Sequence, residues 1–152
     1  MYQKILVPLD GSKLAECALS HVKNMVKGGA VGEVTLLNVV IVHIPRQGES
    51  YLGPVDINSI RENLFMESRT YLAGVTAQLA SEGISVKTKS LESNWIAEAI
   101  SDYAQKNGME MIVIATHGYT GLKKLMLGSV ALEVLHDSHV PVLLIRPESC
   151  RM

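Results

Sequence analysis

Two glycines separated by nine residues, Gly118 and Gly128, with Ser129 directly after the second, form the pattern in this sequence best suited to chemistry. A glycine removes the side chain where a backbone must come close to another group. Ser129 stands at the start of an apolar helical pattern, so the N–H groups of Ser129, Val130 and Ala131 find no partner within the helix. The positive end of the helix dipole points to the same place, and together these donors make an anion site without a lysine. Phosphate is the obvious anion. A plain turn followed by a helix cap explains Gly128-Ser129 equally well, and on residue chemistry alone both readings stand.

Other residues add candidates of lower specificity. Asp10, in Pro8-Leu9-Asp10-Gly11-Ser12, can accept from a sugar hydroxyl as acidic residues do in dinucleotide folds. A lone aspartate at that place more often caps the following helix. His117, in Ala115-Thr116-His117-Gly118, can touch phosphate or serve as a base, but no partnered carboxylate or serine accompanies it in sequence. Lys123 and Lys124 read as a solvated pair, and His136 and His139 as histidines near a helix end. The sequence has no GxxxxGK[ST] phosphate loop and no GxGxxG after its first apolar run. It also lacks HExxH, paired metal-ligand spacings and a GxSxG elbow.

These candidates must be held by regular elements, and the apolar pattern supplies them. Five short runs, Ile5–Leu9, Val34–Val42, Ile84–Leu91, Met111–Ala115 and Val140–Ile145, alternate with helical patterns. Four are nearly continuous in Val, Ile and Leu, as in parallel strands covered on both faces. Ile84–Leu91 alternates instead, which predicts an edge strand. A first helix places Leu14, Ala18, Val22, Met25 and Val26 inward, with Ser12 as its cap and Gly28-Gly29 as its end. A second runs from about Ile57 to Ser81 with Ile60, Leu64, Tyr71, Val75 and Leu79 inward. A third holds Ile96, Ala99, Ile100 and Tyr103, and a fourth holds Val130, Val134 and Leu135 after Ser129. The alternation predicts right-handed strand–helix–strand units, hence an α/β fold with an open five-stranded parallel sheet and helices on both faces. In such sheets ligands sit beyond the carboxyl ends of strands, where strand order reverses. The segments holding Asp10 and Gly118 follow the first and fourth strands. The stretch from His43 to Asp56, with two prolines and two glycines, reads as a surface loop near that crevice or as a plain long connection.

Composition narrows the function classes. At 152 residues, with 47% hydrophobic and 19% charged, the chain suits one domain over residues 1–152 with one core. A net charge of −1 gives no basic patch for nucleic acid. The longest apolar runs fall far short of the roughly 20 residues of a membrane span. No signal-peptide pattern precedes the first strand, and the two cysteines, Cys17 and Cys150, lie far apart without a partner motif. A reducing cytoplasm and no disulfide framework are therefore expected.

The opening KILVPLDGS, the segment ATHGYTGLKKLMLGSVALEVL and the closing VPVLLIRP resemble the universal stress protein family over essentially the whole chain. The specific part is the Gly-x2-Gly-x9-Gly-Ser/Thr pattern of its ATP-binding branch. Gly118, the nine residues after it and Gly128-Ser129 match; Ala115 stands where the pattern has its first glycine. The resemblance implies a Rossmann-like sheet of order 3-2-1-4-5 with nucleotide between the ends of strands one and four. It implies that Pro8, Leu9 and Asp10 line an adenosine pocket and that Val39 meets the adenine edge. Ile114, Ala115, Thr116, His117 and Gly118 would wrap ribose and phosphate, and Gly128, Ser129, Val130 and Ala131 would bind phosphates. It further implies ATP as ligand, with ADP or AMP as substitutes and Mg2+ as companion ion, and a homodimer formed through strand 140–146. A stress-response binding module, not an enzyme, is the expected function. The alternatives are a dimeric interaction protein of the same fold without nucleotide, favoured by Ala115, and a slow nucleotide hydrolase.

Overall fold

The computed structural model describes residues 1–44, 56–116 and 128–146. Five strands, β1 (Tyr2–Pro8), β2 (Val31–Val40), β3 (Lys87–Glu92), β4 (Met111–Ala115) and β5 (Val142–Ile145), alternate with helices. The helices are α1 (Lys13–Glu16), α2 (Ala18–Lys27), α3 (Ile57–Ser81), α4 (Ile96–Lys106) and α5 (Ser129–Asp137). All strand pairs are parallel and the order is β3-β2-β1-β4-β5. The alternating run ends as an edge strand, as its half-polar pattern requires.

The period of two in β1 divides the core between the faces of the sheet. Ile5, Val7 and Leu9 join Ala18, Leu19 and Val22 of α2 and Leu72, Val75 and Leu79 of α3. Leu6, with Leu37, Ile112 and Ile114, packs on Ala97, Ile100 and Ala104 of α4 and Ala131 and Val134 of α5. The central strands are buried on both sides, which is why their sequences lack alternation.

The ladders differ in length. Residues Tyr2 to Pro8 of β1 pair with Val31 to Leu37 of β2. Between β1 and β4 only Ile5 with Met111 and Leu6 with Ile112 are in register. Beyond those pairs the register ends, and residues at the carboxyl ends of both strands line a pocket.

Several expectations shift. Tertiary packing carries Ile84 into the core before its strand begins, so β3 starts at Lys87. The first helix divides at Cys17 into α1 and α2, and Leu14, expected inward, is 38% exposed. Leu135, also expected inward, is exposed, because the face of α5 that meets the core carries Val130, Ala131 and Val134. Cys17 is disulfide-bonded, against the expectation of free thiols. The sequence contains one other cysteine, Cys150, which lies outside the described residues.

Candidate functional site

Strand β1 ends in Pro8, which has no N–H to continue a ladder. Leu9 keeps one more sheet bond, its N–H donating to Leu37 O at 2.8 Å. The chain then turns sharply: Gly11 adopts φ +88°, a region that side chains disfavour. Asp10 stabilises the turn, its Oδ1 accepting from Ser12 N at 2.9 Å and from Ser12 Oγ at 2.6 Å. Ser12 in turn caps α1, its Oγ accepting from Ala15 N at 3.1 Å. Asp10 therefore supports the helix start at one remove, and both of these bonds fall on the same carboxylate oxygen.

Across the cleft, β4 leads into Thr116, whose N–H donates to Ile145 O of β5 at 2.8 Å. Its hydroxyl donates to the same carbonyl at 3.4 Å, a long bond. Ala115 packs against the core on the α2 and α3 side of the sheet. Helix α5 begins at Gly128, its N-cap, with Ser129 as the first helical residue. The cap reading of Ser129 is thus corrected: the residue at the cap has no side chain. Gly128 is buried at φ −56° and ψ 146°, an ordinary extended conformation. Backbone torsion does not require glycine there, and glycine is an accepted residue at a helix N-cap. The first bond of the helical ladder runs from Leu132 N to Gly128 O at 3.0 Å. The N–H groups of Ser129, Val130 and Ala131 precede that ladder.

Between these segments lies a pocket of about 670 Å3, its open mouth included. Pro8, Leu9, Asp10 and Val39 form one wall, and Ile114, Ala115, Thr116, Val130 and Ala131 the other. The sheet thus gathers residues distant in sequence that were expected together. Gly128 and Ser129 do not line the pocket itself, although α5 carries them at its edge. His117 and Gly118 lie outside the described residues, as do Lys123 and Lys124. Ala15, Leu37, Ile96 and Ile100 also line the pocket and were not foreseen. Their helical or strand periodicity marks them as core, and nothing in sequence separates a core residue from one at a pocket floor.

Among the described residues, Asp10 is the one charged residue in this lining. An apolar slot with a carboxylate at its rim suits a flat base carrying hydroxyls nearby. It repels an anion, which must then lie toward α5. Among the described residues no cluster of three His, Cys, Asp or Glu side chains is placed to hold a metal ion.

A model described as the Universal stress protein family matches residues 1–146. The chain is 31% identical to Universal stress protein MJ0577 of Methanocaldococcus jannaschii, covering 96% of each chain. It is 30% identical to Universal stress protein YxiE of Bacillus subtilis, over 96% of this chain and all of that one. The solved structure of MJ0577 superposes with a TM-score of 0.76 at 33% identity and 96% coverage of both chains. A universal stress protein solved in complex with cAMP superposes with a TM-score of 0.67; at 15% identity it shows shared fold alone. That structure covers 95% of this chain and 97% of its own.

Proposed function

This chain belongs to the universal stress protein family, and from that premise we propose that it binds an adenine nucleotide, ATP first, as a regulatory stress-response module. One observation carries the reading: the cleft where β1 and β4 part is an apolar pocket with Asp10 at its rim and the N-terminus of α5 at its edge. In this reading the base lies against Val39 and Ile114, and Asp10 accepts from a ribose hydroxyl. The phosphates meet the N–H groups of Ser129, Val130 and Ala131. A universal stress protein of the same fold has been solved with cAMP, which shows that this architecture can hold an adenine nucleotide.

Mg2+ would travel with the phosphates, neutralising part of their charge, while Asp10 orients the sugar. We propose holding and not turnover: among the described residues, the one carboxylate lining the pocket, Asp10, is bonded to Ser12 of its own turn and not to a histidine that could serve as a base. We also propose a cytoplasmic homodimer paired through β5. No helix among the described residues is long and apolar enough to cross a membrane. The disulfide at Cys17 is the observation that weighs against a reducing compartment.

The test is thermal. ATP should raise the melting temperature by binding the native state. Each phosphate-facing hydrogen bond lost should cost roughly 1.5–3 kcal/mol, so the double variant Gly128→Ala/Ser129→Ala should abolish the rise. Calorimetry detecting no ATP binding at millimolar nucleotide, in ligand-free wild type, would overturn the reading. The exposed edge of β5 and Leu143 would then favour a dimeric interaction protein of the same fold.

A further inference from the structure

We propose that α3 positions the first wall of the pocket through Ser68 and Tyr71, side chains that do not line that pocket; the proposal rests on the nucleotide reading above. Leu9 lies one residue past the end of β1, at the carboxyl edge of the sheet. A carbonyl there needs a partner other than the strand ladder. Asn38 of β2 supplies it, its Nδ2 donating to Leu9 O at 2.8 Å. The Asn38 amide is itself fixed from behind, because Ser68 Oγ donates to its Oδ1 at 2.6 Å. Ser68 Oγ has one proton, spent on Asn38, so at 2.6 Å it accepts from Ser90 Oγ of β3. The result is a directed chain of donors from Ser90 through Ser68 and Asn38 to Leu9.

Ser68 is 6% exposed and stands on the helix face that otherwise buries Leu72, Val75 and Leu79. A hydroxyl in that setting costs stability unless satisfied, and a satisfied network fixes geometry more than it adds strength. One turn along, Tyr71 donates to Glu16 Oε1 at 3.1 Å. Glu16 ends α1, and its neighbour Ala15 lines the pocket. Burial first, then the nearby carboxylates of Glu16 and Asp10, push the Tyr71 phenol far above its ordinary range, so it remains a donor. The segment from Leu9 to Glu16 is thereby held from α3 at both ends, and with it Asp10. Asn38, Ser68 and Tyr71 are positioning residues: they act on the ligand only through Leu9 and Glu16.

The experiment pairs ATP calorimetry with amide hydrogen exchange on wild type, Ser68→Ala, Asn38→Leu and Tyr71→Phe. Thr76→Val is the control, since the Thr76 hydroxyl donates within α3 itself, to Leu72 O at 2.8 Å. Ser68→Ala and Asn38→Leu should each weaken ATP binding about tenfold, the upper end for one buried hydrogen bond. Combining them should add little, because both break one chain. Thr76→Val should bind as wild type does. Without nucleotide, the amides of Leu9 and Ser12 should exchange faster in the three wall variants and unchanged in the control. Wild-type affinity in all three wall variants would overturn the proposal, as would equal weakening by Thr76→Val. If wild type itself bound no ATP, the nucleotide reading would fall and exchange would decide alone. Faster exchange would uphold α3 as holder of the wall, and unchanged exchange at Leu9 and Ser12 would overturn it.

Discussion

At the scale of residues, the informative position is Ala115, where the family's ATP-binding pattern has glycine. It packs against the core on the α2 and α3 side, and it also lines the pocket. Ala115→Gly should therefore leave ATP affinity equal or slightly tighter. It should cost roughly 0.5–1 kcal/mol of stability through added backbone freedom in a strand. Calorimetry and melting on the same preparation check both, and weakening by about tenfold would show that the methyl supports the ligand. Asp10 illustrates how much of the site a sequence can carry. Its position after a buried strand was legible, and so were its two roles, and the structure shows the local one in the bonds from Ser12. Ser129 was legible as a helix start but not as the first helical residue, because cap and first turn differ by one position and share residue preferences. The polar chain through Asn38, Ser68 and Ser90 was not legible at all, since three ordinary polar residues on three elements announce nothing until the fold joins them.

At the scale of elements, strand existence and order could be read from hydrophobic pattern because parallel strands covered on both faces have little other sequence freedom. Helix faces were harder. Leu14 and Leu135 fit a helical period yet point outward, because α1 and α5 are short and each turns a narrow stripe to the sheet. Neither the division at Cys17 nor the pocket-lining role of Ile96 and Ile100 leaves a periodic signal. Between elements, Glu82 at the end of α3 accepts from Lys23 of α2 at 2.6 Å, with Lys27 at 3.9 Å. The Lys23 hydrogen bond, opposed in part by burial, holds the Glu82 carboxyl below its ordinary 4.5. A carboxyl depressed in the folded state stabilises fully above its unfolded pKa and loses that contribution as pH falls through the folded value. The melting difference between wild type and Glu82→Gln should thus be constant at neutral pH and shrink below about pH 4.5. High salt should reduce it at neutral pH, because the pair is near the surface. A difference that grows on acidification would refute the assignment.

At the scale of the whole molecule, β5 is an edge strand among the described residues, with Leu143 at 37% exposure. An apolar edge of that kind is a liability unless another chain covers it. Pairing of two copies about a two-fold axis is the common solution. Light scattering at micromolar concentration should give twice the mass of 16.5 kDa, with a melting temperature that rises with protein concentration. Leu143→Glu should shift the population to monomer, whereas a monomeric wild type would place the edge's partner elsewhere. The opposite edge, β3, carries Lys87 and Lys89 and is protected by charge.

The two registered pairs between β1 and β4 have a mechanical consequence. The sheet behaves as two plates, one of β1, β2 and β3 and one of β4 and β5, welded along a short joint and gaping at one end. Tension that draws the plates apart concentrates at that weld, so it is the first to peel. A nucleotide seated in the gap touches both plates and acts as a rivet beside the weld, sharing the strain. Pulling on single molecules through handles on β3 and β5 should give a higher rupture force with ATP than without it. Equal forces would mean that any bound nucleotide grips one plate alone.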